Sequence, residues 1–182
     1  MPTQLSRWRD PGSKAGALLR LVIFVPLYLA LEYLLLVAFY GAGGSGLKGG
    51  AQFLSSGATL VAALVAGGAL ITVVDQRAFG ALGFAWTKQS PRELGTGFAI
   101  GGAGMLAATV FAVLLGTLSY VTEQGTAVLW LCTILFDLVV FMLAAAAEEA
   151  VFRGYGFQIL ARAFGPIHAA VGASAAFALA HA

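Results

Sequence analysis

Five long apolar runs decide what this chain can become. They cover residues 17–40, 52–74, 94–119, 126–147 and 167–182. About 20 consecutive apolar residues suffice to cross the hydrocarbon core of a bilayer as a helix. Inside lipid every backbone N–H and C=O must be satisfied within the protein, so runs of this kind read as helices. Composition agrees: 60% of the 182 residues are apolar and 10% are charged, against about 25% charged in a soluble domain. The expected fold is all-α, a polytopic transmembrane helical bundle with about five spans. A net charge of +2 gives no footprint for nucleic acid. The single cysteine, Cys132, lies in an apolar run. It excludes a disulfide framework and is expected to be a small buried hydrophobe.

The connections set the organisation. Residues 1–16 are polar and basic and read as a cytoplasmic N-terminus; residues 17–182 read as one membrane-embedded helical domain. The first run is longer than the roughly 7–15 apolar residues of a secretory signal and reads as a retained helix. Arg20 near its start is expected to snorkel to the interface, and Glu32, deeper, to find a structural partner within the bundle. The glycine-rich loop at 41–51 lacks the Gly-Lys-Ser/Thr ending of a phosphate loop. Gly97, Gly101 and Gly104 suit close helix packing. Counted per connection, Arg7, Arg9, Lys14, Arg20, Arg77, Lys88, Arg92, Arg153 and Arg162 fall on one side and Lys48 alone on the other, which places the N-terminus in the cytoplasm. Gly165-Pro166 is a stop-and-restart signal between helices, with a continuous helix expected up to Phe164. The last run is shorter than a full span, so the domain is expected to be incomplete at its C-terminal end.

The fourth run leads into Glu148-Glu149-Ala150-Val151-Phe152-Arg153. An ionised group at the centre of a membrane helix costs roughly 2.5–3.5 kcal/mol on insertion scales, so such charges must pair, face a wet cavity or do chemistry. Glu149 and Arg153, four apart with the acid first, share a helix face and are expected to pair. Glu148 is left to face elsewhere. Asp137, three turns earlier, lies near its face and reads as a hydrogen-bonding residue. Folding the chain at Gly165-Pro166 brings Glu148 and His181 level, because the midpoint of their positions falls at that turn. Phe177 is one turn from His181 on the same side. His168, near the turn, faces away and reads as interfacial. A carboxylate and an imidazole meeting between apolar helices can polarise a water for attack on a carbonyl, or serve as two ligands of a metal whose other ligands lie elsewhere. Each residue also has a plainer role: an ion pair for Glu149 and Arg153, a satisfied core histidine for His181, packing for Phe177.

Glu148-Glu149-x-x-x-Arg153 followed by Phe177-x-x-x-His181, with Arg153-Gly154-Tyr155 and Ser174 alongside, resembles the CPBP family. This is the CAAX-protease and bacteriocin-processing (Abi) group of intramembrane metalloproteases. The two motifs cover about a fifth of the chain. The resemblance implies an endopeptidase of the bacterial cell membrane that hydrolyses a peptide bond in a hydrophobic or prenylated substrate. It implies that Glu148 activates the water, that His181 assists, and that Glu149, Arg153 and Phe177 support or line the site. A divalent metal, zinc foremost, would be held by Glu148 and His181, and the partners would be membrane lipid and the lipidated peptide. A further family motif, His with Asn or Asp four residues on, has no counterpart here, so the chain by itself is expected to be inactive. Two other readings remain open at this point. One is a non-catalytic immunity or scaffold protein of the same fold. The other is a transporter or proton relay running through Asp137, Glu148 and His181.

Overall fold

The computed structural model describes residues 13–41, 50–121 and 125–182. Among them the only regular structure is helical. Helix α1 spans Lys14–Gly41 and α2 spans Gly50–Ala69. α2 continues as one wide π-turn over Leu70–Val74, and a 3-10 turn follows at Phe79–Leu82. Then come α3 (Ser90–Leu114), α4 (Ala127–Phe152), α5 (Tyr155–Phe164) and α6 (Pro166–Ala180). Among the described residues four helical stretches are long and apolar enough to cross a membrane, and α6 is a shorter apolar helix of 15 residues. Large apolar side chains such as Val22, Leu34, Leu129 and Val171 are exposed along these rods, as expected where lipid rather than water is the neighbour. The protein is an all-α integral membrane protein.

The chain divides into two compact units. One, Trp86–Thr133, holds α3 and the first turns of α4. Within it Gly97, Gly101 and Gly104 meet no neighbour, so the close packing expected of them is not formed there. Cys132 is exposed rather than buried. Small residues in an apolar run carry no signal of which side meets protein, which is why the sequence expectation failed.

The other unit comprises the described residues of Met1–Ala85 and Ile134–Ala182. α1 packs along α2, and α5 packs against both α1 and α6. The core gathers Phe24 from α1, Ala66, Leu70 and Ile71 from α2 and its π-turn, Leu82, and Tyr155 and Ile159 from α5. Gly67 permits this approach: a Cβ there would come within 3.0 Å of the Tyr155 Cβ. Glu32 finds the structural partner expected of it, accepting a hydrogen bond from the Thr59 hydroxyl of α2.

Arg20 does not snorkel. It is buried and pairs with Asp75, Nε to Oδ1 at 3.0 Å, both side chains 1% exposed. The π-turn explains the encounter. Asp75 N–H donates to the Leu70 carbonyl, five residues back, and the extra residue per turn rotates Asp75 toward α1. Gln76, at φ +52°, then ends the helix.

The continuous helix expected through residue 164 is broken at Gly154. α4 stops at Phe152, and α5 restarts at Tyr155 with Gly154 as its N-cap at φ −72°, ψ −130°. A Cβ at Gly154 would lie 2.2 Å from the Ala150 carbonyl oxygen. Only glycine allows the chain to bend this tightly at that point. α5 is strongly amphipathic, whereas α4 is apolar apart from Asp137, Glu148 and Glu149: in α5, Tyr155, Gly156 and Ile159 are buried while Arg162 stands in the last turn. The break therefore separates a long, largely apolar rod from a short amphipathic helix.

Candidate active site

The end of α4 presents its acids in two directions that converge on one cavity. Glu149 Oε1 pairs with Arg153 Nη1 at 3.0 Å, the expected i, i+4 contact. Glu148, one position earlier, points toward α6. Its Oε1 lies 3.8 Å from His181 Nε2, and the two side chains are 49% and 51% exposed. The juxtaposition expected from the sequence is thus present in the fold.

His181 sits at the C-cap of α6. Its Nδ1 is 2.8 Å from the Phe177 carbonyl oxygen. A carbonyl can only accept, so Nδ1 carries the hydrogen, and in the neutral ring Nε2 presents a lone pair toward Glu148. At 3.8 Å the carboxylate and Nε2 are too far apart for a direct hydrogen bond, yet one water can reach both at ordinary lengths. The imidazole is also held by its ring contacts. It stacks on Phe177 with centroids 4.2 Å apart, and Phe177 meets Phe152 of α4 edge-on at 5.1 Å. This aromatic column ties α6 to α4 beside the two polar groups.

A cavity of about 560 Å³ opens at this point, lined by Glu148, Glu149, Phe152, Arg153, Phe157, Ala170, Ala173, Ser174 and Phe177. The small residues Ala170, Ala173 and Ser174 form one face of α6 and leave the space, while the phenyl rings make the walls apolar. A polar end with apolar walls suits an extended substrate having both a peptide group and a hydrophobic chain. A smaller cavity of about 220 Å³ lies on the other side of the Glu149–Arg153 pair, against Leu82, Gly83 and Phe84. Asp137 and His168 are exposed, and like His181, which reaches the site through Glu148 and Phe177, they are absent from the lining of either cavity. The sequence reading missed the Arg20–Asp75 pair and the Gly154 break. Two charges at the margins of apolar runs were the available signal for the first, and an isolated glycine beside the charge cluster for the second.

A divalent metal fits these residues poorly. A catalytic zinc takes three protein ligands and an open position. Glu148 and His181 supply two, Glu149 is engaged with Arg153, and no group of three or more His, Cys, Asp or Glu side chains suited to a metal occurs among the described residues.

Comparison with known proteins converges on the same segment. Residues 130–182 match the family model described as Type II CAAX prenyl endopeptidase Rce1-like. No curated protein and no solved structure matches the chain. The match takes in Glu148, Glu149, Arg153, Phe177 and His181 together, the residues of the two motifs on which the resemblance to the CAAX-protease family rests.

Proposed function

We propose that this chain carries the water-activating centre of an intramembrane endopeptidase that cleaves a peptide bond in a hydrophobic or prenylated substrate. One observation supports it above the others: Glu148 and His181 face each other across a space that fits a water, with the imidazole tautomer fixed by a backbone carbonyl. Glu148 accepts a proton from the water as its oxygen attacks the scissile carbonyl. His181 Nε2 accepts the water's other hydrogen bond and so orients it. The proton then passes to the leaving amine, completing hydrolysis. Glu149, tied to Arg153, keeps the guanidinium at the mouth of the cavity, where it can meet a peptide carbonyl or carboxylate. The apolar walls formed by Phe152, Phe157 and Phe177 would take the lipid or isoprenoid chain.

The reading carries a location: a bacterial cell membrane with the N-terminus cytoplasmic, which puts the Glu148 end of α4 toward the cytoplasmic side. The test is cleavage of a prenylated reporter peptide by the intact protein in liposomes. Glu148→Gln and His181→Ala should each lower kcat by at least about 100-fold, within or beyond the usual range for loss of a general base, with insertion and folding retained. Cleavage at the normal rate by a folded Glu148→Gln protein would end the proposal. A transporter would instead show pH-driven flux.

A further inference from the structure

The buried charges of this fold lie away from the cavity, and nothing in the water-activating chemistry uses them. Arg20 and Asp75 come from separate helices and meet where α5 begins. The third member is Tyr155. It is 1% exposed, its ring packs on Phe24 at 5.4 Å, and its hydroxyl is buried in the field of Asp75 and Arg20. Asp75 Oδ1 lies 3.0 Å from Arg20 Nε, and the Tyr155 hydroxyl lies beside the same carboxylate. Three polar atoms held together in an apolar core restrict one another strongly, because any movement apart leaves a buried group with less compensation.

Tyr155 is the first residue of α5, next to the Gly154 elbow and two positions after Arg153. We infer that the Arg20–Asp75 pair, acting through Tyr155, is a positioning device: it fixes the angle of the elbow, and thereby the distance between Glu148 and His181. The inference rests on the endopeptidase reading for its catalytic consequence but not for its geometric one.

The leverage follows from helix dimensions. Glu148 lies six residues before Gly154, about 9 Å along the axis at 1.5 Å per residue. α5 and α6 pack together, so a change of angle at the elbow would carry both. A rotation of about 6° at that radius moves His181 by about 1 Å relative to Glu148. A misplacement of about 1 Å can cost about 100-fold in rate. The elbow itself supplies little resistance, because glycine has broad conformational freedom. Besides the Phe152–Phe177 contact, the restraint comes from what grips α5, and the packing of Tyr155 and Gly156 on α1 and α2 is that grip: a Cβ at Gly156 would lie 3.2 Å from Leu21 Cδ1.

The experiment uses the intact protein in liposomes, in a cysteine-free background with Cys132→Ser. Spin labels replace the exposed Met142 of α4 and Leu179 of α6, and a control pair replaces the exposed Val22 of α1 and Val61 of α2. Tyr155→Phe removes only the hydroxyl and keeps the ring. Asp75→Asn keeps the shape and removes the charge. The α4–α6 distance distribution should broaden in both variants while the α1–α2 distribution stays as in the parent. Cleavage of the prenylated reporter by Tyr155→Phe, measured without labels, should show kcat lowered by about tenfold or more with KM unchanged. An unchanged α4–α6 distribution in both variants overturns the inference. So does equal broadening of both label pairs, since that marks a purely structural role. If the α4–α6 distribution responds but the parent protein cleaves nothing, the positioning device stands and the endopeptidase reading falls.

Discussion

Arg20 and Asp75 are the residues whose environment departs most from what their type prefers. Both are removed from water at the junction of three helices. Taking one partner from a buried ion pair leaves an uncompensated charge and costs about 3–5 kcal/mol, whereas replacing both by apolar groups is often near neutral. Arg20→Met should therefore destabilise the protein by about 3–5 kcal/mol in denaturant unfolding from detergent, and Arg20→Met with Asp75→Leu should recover most of that. Failure of the double variant to recover would mean that the pair contributes more than charge compensation. Spacing revealed the Glu149–Arg153 contact because the residues lie on one helical turn. It could not reveal Arg20–Asp75, whose 54 intervening positions and π-turn carry no local periodicity.

At the level of elements, the elbow separating α4 from α5 is the feature with most influence on the site. The sequence shows a helix-compatible pattern straight through it, and a lone glycine is a weak signal against that pattern. The level placement of Glu148 and His181 nevertheless survives. α6, with 15 residues against the 10 of α5, reaches about 7 Å farther than α5 is long, and so returns to the last turns of α4. Gly154→Ala tests the element directly. Its Cβ would enter the Ala150 carbonyl, and the least costly response is to straighten α4 into α5. The expected outcome is unchanged helix content by circular dichroism with cleavage reduced by at least about 100-fold, as His181 swings away from Glu148. Retained cleavage would show that the elbow tolerates a side chain and that its bend is not what sets the site.

For the molecule as a whole, the bilayer makes the fold class legible. Long apolar runs leave helices as the economical answer, and the structure has them. What composition does not encode is which side of each rod faces protein: Cys132 and the Gly97–Gly101–Gly104 row were expected inside and are not engaged within their unit. Charge distribution adds an orientation. Cysteines replacing Lys88 and Tyr120 should react with a membrane-impermeant maleimide from opposite sides, Lys88 from the cytoplasmic face and Tyr120 from the outer one. The reverse labelling pattern would invert the proposed topology and move the reaction to the other side of the membrane.

The hydrogen bond from His181 Nδ1 ends on a main-chain carbonyl of its own helix. No point substitution of a side chain can delete that acceptor; even Phe177→Leu would keep the oxygen and lose only the stacking ring. The orientation of the imidazole is thereby insulated from sequence drift in the surrounding pocket, which leaves the apolar walls free to diverge toward new substrates while the histidine keeps its aim.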